Sequence, residues 1–123
     1  MDVRTPAIIR TMTTDISIGF AANLVPLILD GSKTLTYRIG DKYGFLKVGD
    51  EIDVRDSSND KLFAKVKIIE KDYTTFADLL IDRVGHEVYS SKQEQRDTFK
   101  KYYGEVKNDD KILILGFTVI EKY

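Results

Sequence analysis

The sequence predicts an α+β protein: a small barrel of five or six mostly antiparallel strands with two or three helices inserted between them. Three observations carry that expectation. Short alternating or β-branched runs recur along the chain, two stretches carry apolar residues at helical spacing closed by glycine, and no Pro/Gly/Ser-rich linker divides the 123 residues. With 42% hydrophobic residues, a chain of this length supports one core. Residues 15–123 are therefore expected to form one domain and residues 1–14 an N-terminal arm.

Asp15 to Phe20 (DISIGF) alternates and suits a first strand. In Ala21 to Asp30 (AANLVPLILD), Leu24, Leu27 and Ile28 repeat at helical spacing, Asn23 is a candidate cap, and Pro26 fits only in a first turn. Gly31 then ends the helix, and Thr34 to Ile39 (TLTYRI) is a β-branched and aromatic strand. A glycine-flanked loop, Gly40 to Asp50, leads into Glu51 to Arg55. The Ser57-Ser58-Asn59-Asp60 turn returns the chain as Leu62 to Glu70, making a meander.

Asp72-Tyr73-Thr74-Thr75 is expected to open a short helix carrying Phe76, Leu79 and Leu80. Ser90 or Ser91 caps a later helix that Gly104 stops. Its stripe of Phe99, Tyr102 and Tyr103 is expected in the core, with one tyrosine hydroxyl reaching a cleft. Lys111 to Ile120 (KILILGFTVI) closes the barrel as a long strand, with Gly116 marking a bulge or bend.

The composition excludes several chemistries. With no cysteine and a single histidine, His86, the chain is not a zinc ribbon, a thiol enzyme, a disulfide scaffold or a histidine-cluster metalloenzyme, so no metal or cofactor is implied. A net charge of −1 argues against an extended grip on duplex DNA. No apolar run approaches the ~20 residues of a membrane span and no leader is evident, so a cytoplasmic protein without a membrane partner is expected.

The passage GSKTLTYR, Gly31 to Arg38, carries the chemistry. Strand parity places Leu35 and Tyr37 on one face and Thr34, Thr36 and Arg38 on the other, the apolar set inward and the polar set outward. Lys33 stands at the junction, where its side chain is able to turn toward the polar face. A lysine and an arginine flanking a hydroxyl suit an anionic or carbonyl-bearing ligand, although an ordinary solvent-facing strand has the same pattern.

Gly31, Lys33, Thr36 and Arg38, followed by Gly49-Asp50 and by Gly85-His86-Glu87 before the helix ending in KKYYG, resemble the ASCH domain family in order and spacing over roughly Phe20 to Ile120. The resemblance implies a barrel related to the PUA RNA-binding fold, with a cleft beside the GSKTLTYR strand for RNA, a nucleotide or a modified nucleoside. The alternative it implies is an N4-acetylcytidine amidohydrolase, as in a small bacterial branch of the family that uses a lysine, a threonine and a glutamate. Lys33 and Thr36 match the first two. Glu87 is the candidate for the third, with Glu94 inside the late helix as the other choice. In that scheme Thr36 is the nucleophile, Lys33 its base, and Glu87 orients the lysine or protonates the leaving amine.

Ligand-binding candidates surround this set. Residues 31–48 hold Lys33, Arg38, Lys42 and Lys47 against one carboxylate, Asp41, a local anion footprint. Tyr43 and Phe45 suit stacking on a base, or else plug the barrel end. His86 suits ligand polarisation or proton transfer, or is an ordinary hydrogen-bonded loop residue.

Overall fold

A computed structural model describes residues 16–123; the expected N-terminal arm lies outside them. Five strands form one sheet: β1 (Ser17–Phe20), β2 (Leu35–Ile39), β3 (Glu51–Asp56), β4 (Lys61–Thr75) and β5 (Lys111–Lys122). The spatial order is β1-β3-β4-β5-β2. β1 runs parallel to β3 and every other pair is antiparallel. The sheet curls into a half-barrel whose edges, β1 and β2, have no further strand partner among the described residues and are bridged by a side chain. Arg38 of β2 donates from Nη2 to the Gly19 carbonyl of β1 at 2.8 Å.

Between β1 and β2 a 3-10 turn, Ala22–Leu24, passes into helix α1 (Val25–Leu29). Pro26 sits in its first turn, where its missing N–H costs nothing. Asn23 does not cap it, because the 3-10 turn continues straight into the helix and leaves no separate terminus to cap. Gly31 adopts φ +85°, reversing the chain toward β2.

Two clusters divide the core. Ile18, Phe20, Val54, Val66, Leu113, Leu115 and Phe117 fill the concave side of the half-barrel. Leu35, Tyr37, Phe76, Leu79, Phe99, Ile112 and Ile114 form a second layer on the other face of β5 and β2. The interior strand β5 is thus apolar on both faces, which explains its unbroken hydrophobic run. Helix α2 (Lys92–Tyr103) covers the second layer, starting where Ser91 Oγ accepts from Glu94 N at 3.1 Å and stopping at Gly104.

Two expectations are corrected, and the bulge expected at Gly116 is present. The short helix at Asp72 to Leu80 does not form: β4 continues through Thr75, with Tyr73, Thr74 and Thr75 paired to Leu113, Ile112 and Lys111. The ladder offered by β5 outweighs the local capping signal. At Gly116 there is a bulge, but the extra residue, Ile69, belongs to β4, and a Cβ at Gly116 would stand 2.8 Å from the Glu70 Cβ. Finally, the polar face of β2 does not look outward. Thr36 and Arg38 pair with Leu115 and Leu113, whose side chains face the half-barrel interior, so both faces of β2 are covered.

Among the described residues no helix is long and apolar enough to cross a membrane.

Candidate functional site

The open seam between β1 and β2 is a cleft of about 530 Å3, a volume typical of small-ligand sites. Lys33, Thr36, Tyr37 and Arg38 line it from β2 and its approach. Gly19 and Phe20 come from β1, His86 and Glu87 from the loop before α2, and Phe99, Tyr102 and Tyr103 from α2.

Glu87 reaches this cleft because the loop carrying it docks on the start of β2. The Gly85 carbonyl accepts from Thr34 N at 2.8 Å and from Leu35 N at 3.1 Å. Gly85 itself has φ +93°, and a Cβ there would overlap Thr34 Oγ1. That docking sets Glu87 Oε2 2.6 Å from Lys33 Nζ. The Lys33 ammonium also donates to the Leu35 carbonyl at 2.8 Å.

Lys33 is only 4% exposed, and desolvation, helped slightly by the Arg38 charge, pulls its pKa below the usual lysine value. The bond and charge of Glu87 oppose that shift without cancelling it. Thr36, equally buried, accepts through Oγ1 from Arg38 Nε at 2.9 Å. Lys33 and Thr36 face the same cleft without a hydrogen bond between them among the described residues.

Arg38 ties the site together. Its Nε holds Thr36, its Nη2 holds Gly19, and its guanidinium lies 5.0 Å from the Phe20 ring centroid and 5.4 Å from that of Tyr43. Burial lowers its pKa, yet a guanidinium stays ionised in proteins.

The other predicted residues separate. His86 lines the cleft, stacked on Tyr37 with centroids 3.9 Å apart and planes at 7°. Its Nδ1 lies 3.0 Å from the Glu87 carbonyl, which fixes the proton on that nitrogen in the neutral ring. Burial and the Lys33 charge lower its pKa, favouring that neutral form. Lys42 and Tyr43 line a smaller adjoining lobe; the Tyr43 ring belongs to the inner core and its hydroxyl donates to the Ser17 carbonyl at 3.2 Å. Phe45 is exposed and lines neither space. Glu94 lies outside the cleft lining, and its Oε1 accepts from Ser90 N at 2.6 Å at the start of α2.

Sequence reasoning placed Phe99, Tyr102 and Tyr103 in the core with one tyrosine hydroxyl reaching a cleft; Phe99 is buried, four residues from the buried Gln95, whereas Tyr102 and Tyr103 are exposed rims of the cleft. It also missed Arg55 and Ser57. Arg55 alternates with Ile52 and Val54 like any solvent-facing strand residue, and only the closeness of β1 brings it beside Gly19.

This curled sheet, with its covering helix and edge cleft, has the fold seen in ASCH domain structures. Among solved structures it is similar to a protein of the DUF984 family from Enterococcus faecalis, with a TM-score of 0.67 at 16% identity over 96% of this chain and 90% of that one. An ASCH domain from Lactobacillus crispatus gives a TM-score of 0.60 at 16% identity over 98% and 96%. An ASCH protein from Zymomonas mobilis gives 0.57 at 17% identity over 83% and 67%. No protein-family model and no curated protein matches the sequence.

Proposed function

We propose that the cleft binds a modified nucleoside and hydrolyses an amide on it, N4-acetylcytidine being the substrate that the resemblance to ASCH proteins suggests. The observation that supports this reading best is the buried Lys33 ammonium 2.6 Å from Glu87 in the cleft that also holds Thr36. A lysine whose burial favours the neutral form is a base in waiting.

Thr36 Oγ1 attacks the acetyl carbonyl carbon while its proton passes to neutral Lys33. The C–N bond then breaks and that proton leaves with the exocyclic amine of cytidine. Water hydrolyses the acetyl-threonine ester, releasing acetate and restoring Thr36. Glu87 orients Lys33 and steadies it while it carries the proton, and Arg38 fixes the Thr36 hydroxyl.

Incubation with N4-acetylcytidine should release cytidine and acetate. Lys33→Ala and Thr36→Val should each lower kcat by roughly 10²–10⁴-fold, the range of a lost base or nucleophile, with an unchanged circular dichroism spectrum. Turnover by Lys33→Ala at the wild-type rate would sink the mechanism.

A second reading, a non-catalytic module for short unpaired RNA or a nucleotide, is favoured by one observation. Lys33 donates to Leu35 and Glu87 and Thr36 accepts from Arg38, and among the described residues no base is hydrogen-bonded to the Thr36 hydroxyl. That reading requires RNA binding that weakens steeply with salt and no release of acetate.

A further inference from the structure

A lobe of about 230 Å3 opens off the cleft and shares Gly19, Arg38, Ser57 and Tyr103 with it. Three cationic side chains line the lobe, Arg38, Lys42 and Arg55, and among the described residues no carboxylate does. From this convergence we propose that the lobe is a phosphate subsite, so that the ligand is a phosphorylated nucleoside rather than a free one; the inference extends the amidohydrolase reading above.

The two arginines are held in place before any ligand arrives. Arg55 Nη1 donates to the Ser17 carbonyl at 2.8 Å and to Ser17 Oγ at 3.0 Å, and its Nε lies 3.6 Å from the exposed Asp60. Arg38 is fixed through Nε and Nη2. Among the described residues this leaves Arg38 Nη1 and Arg55 Nη2 without acceptors. Guanidinium donors of this kind match phosphate oxygens in geometry and charge.

Gly19 is the point where they meet. A Cβ there would lie 2.9 Å from Arg55 Nη2 and 2.7 Å from Ser57 Oγ. The missing side chain therefore lets a guanidinium and a hydroxyl, both donors, approach the β1 backbone from β3 and the turn after it. Arg38 and Arg55 are close enough for one charge to weigh on the other, and an anion between them offsets that repulsion. One side chain, Arg38, touches both spaces and bonds Thr36. A ligand with its amide at Thr36 and its phosphate in the lobe spans the two through its sugar.

The test compares hydrolysis of N4-acetylcytidine with that of its 5′- and 3′-monophosphates, alongside binding of ribose 5-phosphate to the Thr36→Val protein by phosphorus NMR. At least one monophosphate should show a KM at least ~10-fold below that of the nucleoside, about 1.4 kcal/mol. In Lys42→Gln and Arg55→Gln that ratio should fall toward one, and ribose 5-phosphate binding should weaken. Lys42 is exposed, so its variant remains informative if Arg55→Gln fails to fold. Equal KM values for nucleoside and both monophosphates, or ribose 5-phosphate binding that ignores both substitutions, would overturn the subsite. If nothing is hydrolysed while ribose 5-phosphate binds through Lys42 and Arg55, the hydrolase reading fails and the subsite stands. A cytidine dinucleotide binding as tightly as the monophosphate also supports the lobe and assigns its phosphate to an RNA strand.

Discussion

Gly85 and Thr34 are in direct contact: the Gly85 carbonyl accepts from Thr34 N at 2.8 Å, and the Gly85 Cα faces Thr34 Oγ1 so closely that no Cβ fits between them. This contact joins two segments remote in sequence and sets the position of Glu87, two residues further on. It is the structural origin of the Lys33–Glu87 pair.

Gly85→Ala should therefore act on the site from outside it. The added methyl meets Thr34 and the backbone sits at φ +93°, where an L-residue is strained by roughly 1–2 kcal/mol. The loop is expected to lift from β2, separating Glu87 from Lys33. Thermal unfolding should shift down modestly, and the proposed amide hydrolysis should fall further than stability alone explains. Full activity with an unchanged melting temperature would show that the docked loop does not position Glu87.

Much of this architecture was legible in the sequence. β1, α1, β2, the β3–β4 meander, α2 and β5 each have a period or cap that local physics enforces. The failures came where a partner strand decided. Asp72 to Thr75 carries a capping signal, but β5 continues beside it and takes it into the ladder. On β2 parity was right and direction wrong, because a polar strand face and a face lining a polar seam look identical without knowing that β1 and β2 do not pair with each other. Lys33, Thr36 and Glu87 were singled out by resemblance to a family, while Arg55 reaches the adjoining lobe only through the curl of the sheet.

Glu87→Gln should change the pH profile in a defined direction. Glu87 raises the Lys33 pKa by its hydrogen bond and charge, against the dominant desolvation that lowers it. Removing the carboxylate drops the pKa further, so neutral Lys33 becomes available at lower pH. The acid limb of kcat/KM for amide hydrolysis should move to lower pH while the plateau falls. Stability follows the same sign. Between the lowered folded pKa and the ordinary lysine value the unfolded chain holds the extra proton, so stability rises with pH there, and the substitution extends that window downward. An acid limb that stays in place or moves upward would show that Lys33 is not the titrating base.

Tyr37→Phe should be neutral to stabilising. The Tyr37 hydroxyl is buried without a hydrogen-bond partner among the described residues, and desolvation raises its pKa. An unsatisfied buried polar group costs about 1–3 kcal/mol, so deleting the oxygen while keeping the ring on His86 recovers part of that cost. A melting temperature equal to or a few degrees above wild type is expected. If a bound nucleoside provides the missing partner, the same variant should raise KM without changing kcat. A large loss of stability would mean that the hydroxyl is paired in solution.

Arg38→Lys tests whether the seam between β1 and β2 depends on geometry or on charge. The guanidinium satisfies Thr36 Oγ1 through Nε and the Gly19 carbonyl through Nη2 at once, while its plane lies beside Phe20 and Tyr43. An ammonium keeps the charge but is a single point of donors on a flexible stem, and does not reproduce a planar fork engaged at two of its nitrogens. The lysine variant is expected to lose the bridge to Gly19 or the hold on Thr36. The net cost is of the order of one or two hydrogen bonds, about 1–3 kcal/mol. Urea unfolding should show a lower midpoint with an unchanged slope, since the fold is retained. On the proposed mechanism hydrolysis should fall more steeply, because a free Thr36 rotamer leaves the proposed nucleophile unaligned. Wild-type stability and turnover in Arg38→Lys would show that charge alone suffices at the seam.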